Sequence, residues 1–280
     1  MNPLTEIRLI LFRELRRQFR STKGLVLVIL SVLVATLISL ALAYGEKKQR
    51  EMMPVELTPE QRQAMLAEFL EKTGKDAATA KYLSLIPQTV LSMWKVATFT
   101  TPWLVLLLGY DSLASDVQYR TIRFWTVRTR RSSYFLGKWL GLFSTVAALH
   151  LAISSIVWVV SAVMGTDNIG SILRWGVQLW ILSLPITAAW TGLASGIGSF
   201  FRTPMVALLT IFGTYIVVGI LAIIGAVKDI EFLTFFWPNS LDDKFLLADA
   251  KHVGVGLLAC ALYAALPLVT GAFALSKRDV

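Results

Sequence analysis

Long apolar runs alternate with polar segments along this chain, and the runs share a length. They cover residues 25–44, 90–110, 135–164, 175–199, 205–227 and 253–275. The hydrocarbon core of a bilayer is about 30 Å thick and a helix rises about 1.5 Å per residue, so a spanning helix needs about 20 apolar residues. The pattern predicts six transmembrane helices. None contains Asp, Glu or Arg. Lys95 and Lys138 lie near span ends, where a long side chain is expected to reach the interface. His150 is the one ionisable group near a span centre.

The segment ahead of the first run has helical periodicity. Leu4, Ile7, Leu11, Leu15 and Phe19 recur on one face with Phe12 beside them, and Arg8, Leu9 and Ile10 fall outside the pattern. Arg13, Arg16, Arg17 and Arg20 take the opposite face with Glu6 and Glu14. Residues 1–24 therefore predict an amphipathic helix lying in the headgroup plane. The first run is longer than the roughly 7–15 apolar residues of a signal peptide, so it is expected to be a retained span despite Ala41-Leu42-Ala43.

Residues 45–89 form a long outer loop. Thr58-Pro59-Glu60-Gln61 has the capping pattern of a helix start, and Gly74 is expected to end that helix. Asp76 caps a second helix expected to reach Ile86, stopped by Pro87. The fold class is thus all-α integral membrane: six transmembrane helices, an N-terminal interfacial helix and an extracytoplasmic helical hairpin between the first two spans. It forms a single domain over residues 1–280.

Composition agrees. Of the 280 residues, 55 % are hydrophobic and 16 % charged; a soluble domain carries about a quarter charged residues. A soluble enzyme and a disordered chain are both excluded. One cysteine, Cys260, excludes a disulfide framework. Charge fixes orientation. The loops on the N-terminal side hold fifteen Lys and Arg against five acids, the others twelve against thirteen. Basic loops are retained in the cytoplasm, which predicts a multi-pass protein of the cytoplasmic (inner) membrane with both termini cytoplasmic. No nucleic-acid partner is expected.

Polar residues inside the spans are ordered. Ser183, Thr187, Thr191 and Ser195 recur every four residues along one face. Gly192 and Gly196 lie one position away, and Gly137 and Gly141 form a second pair on the third span. Such residues suit close helix packing; the alternative is that the stripe, with His150, lines a substrate path. Phe232, Phe235, Phe236 and Trp237 before Pro238 are expected in the aromatic belt at the interface; the alternative is a short helix dipping back into the outer leaflet. No phosphate-binding loop, zinc-protease motif or serine-hydrolase motif occurs. The chain should therefore not be an enzyme, and should hold no cofactor or metal of its own.

The inner loop over residues 111–134 carries the most information. It opens with Asp111 and Asp116 and closes with Arg128, Arg130 and Arg131, a distribution that complements the dipole of one helix. Its Asp116, Thr121, Arg131 and Gly137-Lys138 resemble the corresponding loop of ABC-2 type transporter membrane subunits, of the type V exporter fold, as do the basic N-terminal helix and the six spans. Arg120 stands where that family usually has Gly, and Arg128 where it has Pro. The resemblance implies a permease, an exporter, that pairs with a second copy or a related chain. It also implies docking on a separate cytoplasmic ATPase subunit that binds ATP and Mg. Asp111, Asp116, Gln118, Arg120, Thr121, Arg128 and Arg131 would form the coupling surface. The alternative is a subunit that transmits mechanical work to an extracytoplasmic partner without moving a solute.

Overall fold

The computed structural model describes residues 2–52, 59–73, 76–164, 168–247 and 249–277. In chain order the helices are α1 (Pro3–Arg20), α2 (Thr22–Met52), α3 (Pro59–Lys72), α4 (Ala77–Ser84), α5 (Gln88–Gly109), α6 (Ala114–Gln118), α7 (Ile122–Thr126), α8 (Arg131–Val163), α9 (Ile169–Gly198), α10 (Pro204–Val227), α11 (Glu231–Thr234), α12 (Asp242–Phe245) and α13 (Ala250–Ser276). A 3₁₀ turn (Pro238–Leu241) precedes α12, and no strand occurs among the described residues. Six helices, α2, α5, α8, α9, α10 and α13, are long and apolar enough to cross a membrane. The protein is multi-pass. Several helices outrun their apolar stretches: α8 has 33 residues and α9 has 30. At about 1.5 Å per residue both exceed the hydrocarbon thickness.

The centre of the bundle is α9, packed by α5, α8 and α13. Trp190 is fully buried, its ring edge-on to Tyr215 at 4.6 Å and to Trp237 at 4.8 Å. Gly192 and Gly196 let α13 approach. A Cβ on Gly192 would meet Ala264 Cα at 2.8 Å, and one on Gly196 would meet the Pro267 carbonyl oxygen at 2.4 Å. Hydroxyls beside this seam bond their own helix: Ser183 donates to Trp180 O, Thr187 to Ser183 O and Thr191 to Thr187 O. That internal bonding lets polar side chains enter an apolar interior.

The α10–α13 connection departs from the aromatic-belt expectation. Asn239 accepts from Trp190 Nε1 at 2.8 Å and donates to Thr98 O at 2.9 Å. Thr98 stands ten residues into α5, about 15 Å along the helix. The connection therefore turns back into the bundle. Trp237 packs in the core and Phe232 stays exposed. The driving force is polar: two groups in mid-bundle, an indole N–H and the Thr98 carbonyl that Pro102 leaves without a helical donor, gain partners from one amide side chain. Lys95 is also held, pairing with Asp242 at 2.8 Å and Asp243 at 3.1 Å.

On that same face, Asp76 caps α4, its Oδ2 accepting from Thr79 N at 3.0 Å. Helix α4 ends at Ser84, two residues short of Ile86, and Pro87 serves as the N-cap of α5. Tyr82 fastens α4 to the start of α9 through Gln178 at 3.1 Å and Trp175 at 5.4 Å. The expected cap Thr58 and stop Gly74 lie outside the described residues.

Gly196→Leu is expected to lower stability by about 1–3 kcal/mol, the cost of overpacking a closed contact. Gly213→Ala, where a Cβ meets nothing within 4 Å, is expected to be neutral or stabilising. Thermal unfolding of both variants in detergent checks the contrast; equal loss in both would refute the seam.

Candidate functional site

The basic face gathers α1, the α5–α8 connection and the first turns of α8. Asn2 caps α1 by accepting from Leu4 N at 3.2 Å, and Pro3 takes the first helical position. The face that α1 turns inward holds Glu6, Ile10, Glu14 and Gln18, spaced by four. This corrects the expected place of the acids. The acids placed beside the arginines are buried, and Ile10, outside the apolar pattern, is core. Leu4 and Phe12 remain 73 % and 56 % exposed. The reason lies on α8, where Gly137 and Gly141 remove the side chains that would keep α1 away. A Cβ on Gly137 would fall 2.7 Å from Ile10 Cβ, and one on Gly141 would fall 2.6 Å from Glu14 Cβ.

Between them stands Lys138, buried rather than reaching the interface. Its Nζ lies 2.8 Å from Glu14 Oε2, 2.5 Å from Asp116 Oδ2 and 3.0 Å from Ser112 O. Three acceptors match the three donors of an ammonium. The remaining carboxylate oxygens are also engaged. Arg17 Nη2 lies 2.6 Å from Glu14 Oε1 and its Nη1 lies 3.9 Å from Asp116 Oδ1. Tyr134 OH donates to Asp116 Oδ2, Thr121 Oγ1 to Asp116 Oδ1 at 3.0 Å, and Gln18 Nε2 to Glu14 Oε1 at 3.2 Å. Two cations and two anions balance, which is the condition for keeping charge away from water.

The connection is not the single helix that its charge pattern suggested. It breaks into α6 and α7 at Arg120, whose φ is 55°. A left-handed residue ends the first helix, and a residue with a Cβ there is disfavoured by about 1–2 kcal/mol. This is the position where the resembling family has Gly. The two halves are then tied to each other and to α1. Thr121 bonds Asp116, and the Arg13 guanidinium lies 4.0 Å from the Trp125 ring centroid. Arg130 N donates to Glu6 Oε2 at 3.1 Å, which with the Ser133 hydroxyl holds the Glu6 carboxyl below its ordinary pKa. Arg131 Nη1 donates to Ser276 O at 2.7 Å, a cation on the carbonyl end of α13. At the other end Lys23 Nζ donates to Asp111 Oδ1 at 3.0 Å.

The seven residues expected to share one surface divide. Asp116, Thr121 and Arg131 point inward to α1, α8 and α13, and half-buried Asp111 pairs with Lys23. Gln118, Arg120 and Arg128 are exposed. Beside them stand three outward apolar residues: Tyr119, Phe124 and Val127, at 72 %, 76 % and 86 % exposure. Sequence reasoning missed Arg17, Tyr134 and Lys138 as partners of Asp116, and Glu14 as the second carboxylate on Lys138. The four-residue recurrence of Glu6, Ile10, Glu14 and Gln18 was the available signal. Elsewhere, Ser183, Thr187, Thr191, Ser195 and His150 are all buried. Ser183 and His150 border a small cavity; Thr187 and Thr191 pack against their own and neighbouring helices, Thr191 accepting from Trp139 Nε1 at 3.2 Å.

A family model described as ABC-2 family transporter protein matches residues 8–280, a range that takes in most of α1 and the whole connection. No curated protein matches the chain.

Lys138→Met leaves two buried carboxylates facing Arg17 alone, and breaking a buried pair costs about 3–5 kcal/mol. Adding Glu14→Gln restores the charge balance, so the double variant is expected to be more stable than Lys138→Met. Thermal unfolding of the four-member cycle reads this, and a double variant less stable than either single one would refute the balanced network. For Glu6, a pKa lowered by folding means stabilisation that is complete above the ordinary glutamate range and lost as pH falls through the folded value. Hydrogen exchange of the Arg130 amide should therefore rise, relative to other helix-start amides, on acidification. An unchanged ratio would remove Glu6 from the anchor.

Proposed function

Because the chain belongs to the ABC-2 family of transporter membrane proteins, we propose that it is the permease subunit of an ATP-driven exporter. A separate ATPase subunit binds ATP and Mg and docks on the basic face, which lies in the cytoplasm. The observation that carries this reading is the division of the α5–α8 connection. Its inward residues lock it to α1 and α8 through a buried, charge-balanced network. Its outward residues offer Tyr119, Phe124 and Val127 among arginines.

That composition suits a protein partner better than lipid or water alone. Aromatic and arginine side chains are the usual anchors of protein interfaces. A push on Phe124 or Val127 meets a segment fixed at Glu6, Arg13, Asp116 and Arg131, so it moves α1, α8 and α13 together instead of bending a loop. Movement delivered at one face then reaches the spans through helices about 50 Å long. The outer faces of α2, α10 and α13, largely unburied within the chain, supply contact for lipid and for a second copy or a related permease. Export is the direction that the family resemblance supports.

The test separates the two sides of the connection. Phe124→Asp with Val127→Asp is expected to reduce co-purification of the ATPase subunit at least tenfold. Stability of the isolated chain should stay within about 0.5 kcal/mol, as for surface changes elsewhere. Asp116→Asn should instead lower the stability of the chain itself. Undiminished association of the ATPase subunit with the double aspartate variant would overturn the docking surface.

A further inference from the structure

A second feature of the spans stands apart from the basic face. Helices α2, α5 and α8 leave a groove of about 200 Å³ between them, larger than the roughly 150 Å³ cavity that accepts benzene in an engineered protein core. Leu30, Val34 and Ile38 line it from α2, Val96 and Leu104 from α5, and His150 from α8. No charged side chain borders it among the described residues. A smaller cavity, of water size, adjoins it between α5, α8 and α9; Met93, Ala97 and His150 border both. Trp94, Ser154 and Ser183 complete its polar end.

His150 is 1 % exposed, and its bonding is incomplete. Its Nε2 lies 3.5 Å from Thr101 Oγ1, and Thr101 already donates its proton to Ala97 O at 2.8 Å. The threonine oxygen can therefore only accept, which places the ring proton on Nε2 and leaves Nδ1 a bare acceptor. Nδ1 is buried without a partner, and so is the donor Trp94 Nε1 on the same cavity. Each unpaired group costs free energy that a matching ligand atom would recover.

Those two groups ask for one small group that donates and accepts at once. A hydroxyl does both. A carboxylate or ammonium would enter without a counter-ion, and a hydrocarbon end would leave both groups unpaired. We infer that α2, α5 and α8 form a binding site for a neutral amphiphile with a single hydroxyl head. Its apolar body lies in the groove and its hydroxyl donates to His150 Nδ1 and accepts from Trp94 Nε1. The site lies within one chain and is independent of the proposed ATPase partner.

The test uses the full chain in lipid nanodiscs and two photoreactive probes: a long-chain alcohol with a diazirine in its chain, and its methyl ether. Labelled peptides are mapped by mass spectrometry. The alcohol should label groove peptides of α2 and α5 about three- to tenfold more than the ether, the difference one net hydrogen bond makes. His150→Phe should abolish that difference, and Val34→Phe, at a position partly open to the surroundings, should suppress labelling by both probes. Equal labelling of the unaltered chain by alcohol and ether would overturn the hydroxyl site without need of any variant. Labelling by the alcohol that survives both substitutions would overturn its location.

Discussion

An ammonium group whose side chain is 4 % exposed can stay charged only if the surrounding protein replaces all of its lost hydration. The basic face is organised by that requirement at Lys138. Its three acceptors come from three separate elements: Glu14 of α1, Asp116 of α6 and the Ser112 carbonyl between α5 and α6. None of these segments could satisfy the lysine alone, and neither carboxylate would be tolerated there without it. Association of α1 with α8 is therefore conditional on the connection being folded, and the connection cannot leave without stranding charge. Such a network adds little to net stability compared with an apolar core of equal volume. It supplies a single arrangement in which three elements move as one.

The opposite face repeats the device in a weaker form. Lys95 of α5 is paired with Asp242 and Asp243 of α12, and Asn239 reaches into mid-bundle for Trp190 and Thr98. Lys95 is 43 % exposed in its side chain, so water screens this pair and its contribution is small. The firm attachment there is Asn239, whose bonds lie in the interior. The two faces thus differ in kind. One is tied by buried charge across three elements, the other by a turn that dips into the bundle and lodges its aromatic residues against α9.

The spans were legible because length and apolarity are local properties of a sequence, and the six runs needed no knowledge of their neighbours. Caps were legible for the same reason: Asp76 bonds the amide that its position implied. The face that α1 buries was not. Apolar periodicity assigned Leu4 and Phe12 to a shared surface, while the acids at Glu6 and Glu14 read as solvated. Only the glycines at Gly137 and Gly141, with Lys138 between them, turn that helix over, and they lie more than 100 residues away in the chain. The return of the α10–α13 connection was legible only as the second of two readings, because Phe235, Phe236 and Trp237 are suited both to an interface and to a core until Trp190 is placed. In the candidate site, chemistry at Asp116 and Arg131 was visible from the chain but its direction was not. Asp116 and Arg131 serve the inside of the face, and its outside is carried by Tyr119, Phe124 and Val127, of which only Phe124 is marked in the chain, by its place between Arg120, Arg123 and Arg128.

The division between inward and outward residues has a consequence for how force could pass through the molecule. A segment free at both ends would absorb a displacement in its own backbone, since Arg120 already sits at a left-handed turn. Here the displacement is resisted at four points, and each leads somewhere different: Lys23 to α2, Glu6 and Arg13 to α1, Lys138 to α8, and the Ser276 carbonyl to α13. From α13 the path continues into α9 through Gly192 and Gly196, where backbone touches backbone and side chains cannot adjust. Helix α10 touches α9, α5 and α6 only lightly, whereas α2 packs along α8. A load applied at the basic face would therefore be shared among α1, α2, α8, α9 and α13, with α10 the least coupled of the long helices.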